Sequence, residues 1–344
     1  MGCTCEHNKP EDDIEIKKQY KEIKTVKLEE SVLGNLIILQ SHVRGVLFRK
    51  KFNNNEKLLI ENQSNQNSYF NNNYDINENK YSLNEEEQIT ENDINYLFKN
   101  YPPLNDGVEI EIKPIKQIEN GAFYYGEWDK NGNKHGRGIQ LWPDNSKYTG
   151  YWIKNQANKK GKLIHKDGDI YEGEWLDDKA EGFGIYSHID GAKYEGYWKD
   201  DKQEGKGKEF WPDGNSYEGD YVAGNKQGKG KFIWSDGSIY EGDFMNNNIE
   251  GKGVYKWADH REYRGSWKNN QMDGYGEFTW PDGRSYKGGY KNDKKEGYGV
   301  FKWPKGQEYR GNWKNGKQHG EGEIYNPQTK VTKKYNWENG KRIA

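Results

Sequence analysis

Along most of this chain, aromatic residues and glycines alternate with polar residues at a spacing of two, in the unit Tyr-x-Gly-x-aromatic. The unit opens at Tyr124-Tyr125-Gly126-Glu127-Trp128. It returns bounded by Tyr148 and Trp152, Tyr171 and Trp175, Tyr194 and Trp198, Tyr217 and Tyr221, and Tyr240 and Phe244. Tyr263 with Trp267, Tyr286 with Tyr290 and Tyr309 with Trp313 complete the series. The first step is 24 residues and each later one is 23, a constancy that marks tandem structural repeats. Between units lies Gly-x-Gly followed by an aromatic, as in Gly251-Lys252-Gly253 before Trp257 and Gly274-Tyr275-Gly276 before Trp280. A turn sequence, Trp-Pro-Asp-Gly, is intact from Trp211 and from Trp280.

A period of two belongs to a strand, in which residues i, i+2 and i+4 share a face. Tyr-x-Gly-x-Trp thus puts Tyr, Gly and an aromatic on one face, and Gly-x-Gly-x-x-x-Trp puts both glycines there with the Trp. Glycine weakens a strand unless its lack of a side chain is needed; here it leaves room for a neighbouring ring. Pro-Asp-Gly supplies one tight turn, with Pro fixing φ and Gly taking positive φ. Asn, Asp and Lys supply the opposite one, as in Lys291-Asn292-Asp293-Lys294. Each repeat is therefore predicted to be an antiparallel hairpin. A lone hairpin is marginal in water, so the aromatic face must be buried by stacking. At about 4.8 Å per strand, nine hairpins predict a twisted sheet roughly 85 to 90 Å long.

Upstream the pattern changes. Residues 1–13 form a tip, and residues 14–52 read as an amphipathic helix. There Tyr20, Ile23, Val32, Leu33, Leu36, Ile37, Val43, Val46 and Leu47 mostly follow i, i+3, i+4 spacing. Residues 53–118 are an Asn-rich linker with a short helix from about Glu85 to Lys99, ended by Tyr101-Pro102-Pro103. The array takes residues 119–344: nine repeats and a degenerate last unit, Lys333-Lys334-Tyr335-Asn336-Trp337, read as a cap or edge strand. The second repeat also departs, with Gly161-Lys162-Leu163 where Gly-x-Gly is expected. The fold class is mainly β: an elongated antiparallel sheet of hairpins preceded by a helix.

Composition changes this picture only in part. A mean hydropathy of −1.30 suggests disorder. The 26 Tyr, 13 Trp and 42 Gly argue for a core built from rings instead. A net charge of −2 gives no field that favours nucleic acid. Only Cys3 and Cys5 are present, which excludes a disulfide framework and fits a reducing compartment. No apolar run approaches the roughly 18 residues of a transmembrane helix.

The repeats closely resemble MORN repeats, the "membrane occupation and recognition nexus" family, over about residues 121–342, with a familiar entry at Glu119-Asn120-Gly121-Ala122-Phe123-Tyr124. The resemblance implies a non-enzymatic scaffold that docks cytoskeletal or membrane-associated proteins, with an anionic phospholipid surface and homodimerisation through terminal repeats as further expectations. The repeat core would be Tyr124, Trp128, Tyr148, Trp152, Tyr171, Trp175, Tyr194, Trp198, Tyr217, Tyr240, Tyr263, Trp267, Tyr286, Tyr309 and Trp313. The residue between Tyr and Gly is Glu172, Glu195, Glu218 and Glu241, then Arg264, Lys287 and Arg310. This suggests a surface stripe that turns from acidic to basic, set against ordinary cross-strand charge pairing.

Within the amphipathic segment, Leu39-Gln40-Ser41-His42-Val43-Arg44-Gly45-Val46-Leu47-Phe48-Arg49-Lys50-Lys51-Phe52 resembles an IQ motif. The resemblance implies calmodulin or a calmodulin-like partner. Leu39 and Phe52 would anchor, Gln40 would bond loop carbonyls, Arg44 and Arg49 would meet an acidic lobe, and Gly45 would permit close approach. A basic helix on anionic lipid or packed on the sheet are the alternatives. Met-Gly-Cys-x-Cys resembles the tip of dually acylated proteins, with Gly2 for myristate and Cys3 and Cys5 for palmitate, although Glu6 stands where Ser or Thr is preferred. A zinc site from Cys3, Cys5 and His7 lacks a fourth ligand, so no metal is expected.

No P-loop, dinucleotide fingerprint, nucleophile elbow or HExxH appears, so neither catalysis nor a cofactor is expected. Some arrays of this type precede a kinase or methyltransferase domain, for which no room is expected after the ladder. The reading is a scaffold at the cytoplasmic face of a membrane or the cell cortex. Its alternatives are a structural component of a cilium, axoneme or cytoskeletal assembly, and a phosphoinositide-binding module.

Overall fold

A computed structural model describes residues 88–343. The 14–52 helix with its IQ-like residues, and the tip with Gly2, Cys3 and Cys5, lie outside them. The described part is one α-helix, α1 (Glu91–Asn100), a single 3-10 turn (Glu119–Gly121) and one antiparallel sheet. The strands are β1 (Ile110–Gln117), β2 (Phe123–Asp129), β3 (Lys134–Leu141), β4 (Lys147–Ile153), β5 (Gln156–Ile164), β6 (Ile170–Leu176) and β7 (Lys179–Ser187). Next come β8 (Lys193–Lys199), β9 (Lys202–Phe210), β10 (Ser216–Val222), β11 (Asn225–Ile233), β12 (Ile239–Met245), β13 (Asn248–Lys256) and β14 (Glu262–Lys268). The last are β15 (Gln271–Thr279), β16 (Ser285–Lys291), β17 (Lys294–Lys302), β18 (Glu308–Lys314), β19 (Lys317–Asn326), β20 (Val331–Glu338) and β21 (Lys341–Ile343). Each strand pairs only with its chain neighbours, from β1–β2 to β20–β21.

Tyr, Gly and the closing aromatic of each unit do share a face. Glycines face one another across neighbouring strands, as Gly207, Gly219, Gly230 and Gly242 do. The row runs unbroken from Gly126 to Gly322. Over each pair lies the repeat's own tyrosine. A Cβ on Gly219 or Gly230 would come within 2.3 or 2.5 Å of the Tyr217 hydroxyl oxygen. That hydroxyl donates to the Asp220 carbonyl at 3.2 Å. The tyrosines then meet the closing aromatics edge to face on both sides. Tyr148 lies 5.0 Å from Trp152 and 5.2 Å from Trp175, and the chain of contacts passes from Trp128 to Trp337. Trp175 also donates from its indole to the Gly161 carbonyl at 3.0 Å, which fixes one hairpin against the next. Contacts of this geometry are worth about 0.5–1.5 kcal/mol each beyond the area buried.

The two glycines of Gly-x-Gly have different roles, which corrects the shared face assigned to them above. The second belongs to the glycine row. The first sits in a bulge with left-handed backbone, as at Gly182 (φ +68°). In the second repeat this place is Lys159, at φ +58°, while Gly161 is the row glycine. The missing glycine is therefore at 159 and not at 163. The Asn-Asp turns have both central residues left-handed, as at Asn292 (46°) and Asp293 (68°), the geometry of a two-residue hairpin turn.

The sheet extends past the nine hairpins at both ends. The linker's end is a strand: β1 pairs with β2 from Ile110 against Asp129 to Gln117 against Phe123. At the other end β20 is paired on both sides, so the edge is β21, and Trp337 closes the aromatic chain onto Tyr309.

Candidate interaction surface

The pleat divides the molecule's chemistry between two faces. All fifteen expected core aromatics, from Tyr124 to Trp313, are buried on the inner one. The residues on either side of each row glycine point to the outer one. There the glycine backbone forms the floor of a groove of about 1040 Å³, bordered by Phe183, Tyr197, Lys206, Lys252 and Tyr275.

The acidic-to-basic stripe does not persist on this face, because the intervening strands also contribute to it. Lys208 stands between Glu195 and Glu218, and Lys231 between Glu218 and Glu241. Where the first strands become basic, Glu277 stands between Arg264 and Lys287, and Val300 between Lys287 and Arg310. Lys208 meets Glu218 at 3.3 Å, and Lys287 meets Glu277 at 3.4 Å. Charges cancel locally, and exposed pairs of this kind contribute little to stability.

At the start of the array the outer face is occupied by the chain itself. Thr90 caps α1 through a reciprocal box with Asp93, and Tyr101 follows its last turn. Leu97 and Tyr101 are buried with Ile139, Leu141 and Tyr151 of β3 and β4. The Tyr101 and Tyr151 rings meet edge to face at 5.5 Å, and the Tyr151 hydroxyl donates to the Pro102 carbonyl at 2.7 Å. Arg137 binds buried Glu127 at 2.5 Å and lies 4.6 Å from the Phe98 ring. Lys147 pairs with Asp93 at 2.5 Å, and the Lys162 ammonium lies 5.7 Å from the Tyr96 ring. Burial works to raise the Asp93 carboxyl, but Lys147 and the Thr90 bonds together hold it below the usual aspartate range. Sequence reading missed this seat. The signal lay in comparing outer-face positions between repeats, where Tyr151 stands against Glu174, Asp220 and Asp243.

Further along, the groove is bordered by the open aromatic side chains of Phe183, Tyr197 and Tyr275, and Tyr298 stays open on the same face beyond it. Among the described residues, no three His, Cys, Asp or Glu side chains are grouped so as to hold a metal ion. No described helix is long and apolar enough to cross a membrane.

One sheet of consecutive hairpins, repeating every 23 residues and closed by a continuous aromatic chain, defines a tandem-hairpin repeat protein. The MORN repeat model matches residues 124–147, 171–193, 194–216, 217–239, 240–260, 263–283, 286–308 and 309–327, about half of the chain, and the chain belongs to the MORN-repeat family. The unmatched repeat is the second, which carries Lys159 in the bulge. Repeats of this family are in general non-enzymatic, and no catalytic family is indicated. No curated protein sequence matches the chain. Similar solved structures include the TCP10 domain of Danio rerio CPAP, at 11% identity and TM-score 0.33, over 65% of this chain and all of that one. The TCP domain of Drosophila melanogaster SAS-4 is similar at 14% identity and TM-score 0.26, over 50% of this chain and 86% of that one.

Proposed function

We propose that the protein is a docking scaffold and that the outer, glycine-floored face is its docking surface. The observation that carries this is α1: a helix of this chain is already seated there on side chains the fold does not otherwise need. The inner face cannot serve, because its rings are consumed by the core. Proximity labelling in the native cell tests the reading. Changing Phe183, Tyr197, Tyr275 and Tyr298 together to Ser should remove partners that the wild-type chain labels. Changing Asp213, Asp236 and Asp282 on the hairpin turns should not. Partners that survive the groove change would contradict the assignment.

Two segments outside the described residues extend the proposal. The IQ-like residues Leu39, Gln40, Arg44, Gly45, Arg49 and Phe52 recruit a calmodulin-type sensor, supported by the match at each motif position. Native-gel titration of a peptide of residues 30–55 tests it, and no shift with or without calcium rejects it. Acyl chains on Gly2, Cys3 and Cys5 hold the scaffold at the cytoplasmic membrane face; two chains anchor stably where one does not. Membrane fractionation of Gly2→Ala tests this, and unchanged association removes the anchor.

A further inference from the structure

Four residues of the seat that holds α1 recur together further along the sheet. Among its contact residues on the sheet are Ile139, Lys147, Tyr151 and Lys162; Leu141, also buried there, has no apolar counterpart, since Ser187 stands 46 residues on. Two repeat periods later, 46 residues on in every case, stand Ile185, Lys193, Tyr197 and Lys208. The register positions are the same. Ile139 and Ile185 each follow a row glycine of a second strand, Gly138 and Gly184. Tyr151 and Tyr197 each follow a row glycine of a first strand, Gly150 and Gly196. Lys147 and Lys193 open β4 and β8. No other repeat has this set: one period on it reads Lys162, Ile170, Glu174 and Ile185, and three periods on Lys208, Ser216, Asp220 and Lys231.

The first copy is covered and the second is not. Ile139 is 0% and Tyr151 7% exposed, whereas Tyr197 is 53% and its edge-to-face neighbour Phe183 41% exposed. The dimensions suit a helix. From Asp93 to Tyr101 a helix rises about 12 Å. From Lys147 to Tyr151 a strand rises about 13 Å, so α1 lies along β4 with its acid on the lysine and its aromatic on the tyrosine. The second seat is four strands away, about 19 Å at 4.8 Å per strand. A helix about 10 Å across fits beside α1 without touching it.

We propose, resting on the docking reading above, that the second seat binds an amphipathic helix of another protein. That helix carries an acidic residue, an aliphatic residue four positions on, and Tyr or Phe four positions further, the pattern of Asp93, Leu97 and Tyr101. Its acid meets Lys193, which in this structure pairs with the half-buried Glu195 at 3.3 Å. Its aliphatic residue covers Ile185, and its aromatic packs on Tyr197. Arg137 of the first seat is replaced by Phe183, so the residue standing where α1 has Phe98 is apolar and meets a ring instead of a guanidinium.

The probe is α1 itself. A fluorescent peptide of residues 88–104, stapled between the solvent-facing positions 95 and 99, is titrated with the full chain and followed by anisotropy. Saturable binding of one peptide per chain is expected. Tyr197→Ala or Lys193→Glu should weaken it tenfold or more, with circular dichroism and thermal midpoint unchanged. The peptide change Asp93→Lys should weaken binding to the wild-type chain and restore it to the Lys193→Glu chain. Absence of saturable binding overturns the proposal, as does binding that follows Lys147→Glu and ignores Lys193→Glu. If the peptide fails while groove-dependent partners persist in the cell, the second seat falls and the docking face stands. Loss of both removes the docking face as well.

Discussion

Gly230 and Lys159 show how differently the two positions of Gly-x-Gly depend on the absence of a side chain. At Gly230 the space is filled by the Tyr217 ring, itself fixed by Tyr221 and Phe244 on either side. Gly230→Ala should therefore destabilise the chain by about 2 kcal/mol or more, the cost of overpacking a rigid site. At Lys159 the side chain is exposed and only the backbone is at issue. Lys159→Gly should stabilise by about 1 kcal/mol, the penalty of left-handed backbone for a residue with a Cβ. Urea denaturation of both variants checks the pair; equal effects would mean that the two glycine positions are not distinct. The pattern Gly-x-Gly was legible in the sequence, but the division of labour within it was not, because it depends on a bulge that spacing cannot show.

Asp293 is a second residue-scale case. Its Oδ1 accepts from the Met272 amide at 2.7 Å, while its own amide donates to the Met272 carbonyl at 3.0 Å, clasping one hairpin to the one before. Burial pushes its carboxyl up from 3.8 to about 6. A group whose pKa rises on folding favours the fold while protonated. Its contribution is complete below the unfolded value and is lost as pH rises through about 6. Asn247 and Asn270 make the same clasp without a charge, at 2.7 Å to Lys226 and Ile249. Asp293→Asn should accordingly stabilise the chain by about 1–2 kcal/mol at pH 7 and flatten stability between pH 4 and 6. A variant with an unchanged pH profile would contradict the assignment.

At the scale of elements, α1 is the part that sequence reading located without giving it a role. The prolines after it were visible in the chain. Its partners were not, because they lie on strands β3 to β5, far along the sequence. β1 was hidden for a related reason. Its residues have no repeat partner, and Pro114 breaks its strand pattern where its register against β2 shifts. Leu97 is fully buried against the sheet. Leu97→Asp should release α1 without unfolding the array: hydrogen exchange at residues 94–101 should quicken at least tenfold, and exchange in β9 to β18 should stay unchanged. Loss of protection throughout would mean that α1 is part of the core and not a ligand of it.

Over the whole molecule, the period of 23 was enough to predict hairpins, turns and a continuous aromatic layer, since repeats must bury what they cannot bury alone. It did not predict the charge pattern, because the stripe was read on every second strand only. The inner face holds the array together, and the outer one is the docking face proposed above. Site-specific photo-crosslinking in the native cell tests that division most directly, with benzoylphenylalanine placed at Phe183, Tyr197 or Tyr275 in the groove and at Asp213, Asp236 or Asp282 on the turns. The division predicts discrete protein adducts from the groove positions and none from the turns. Adducts from the turns with none from the groove would contradict it.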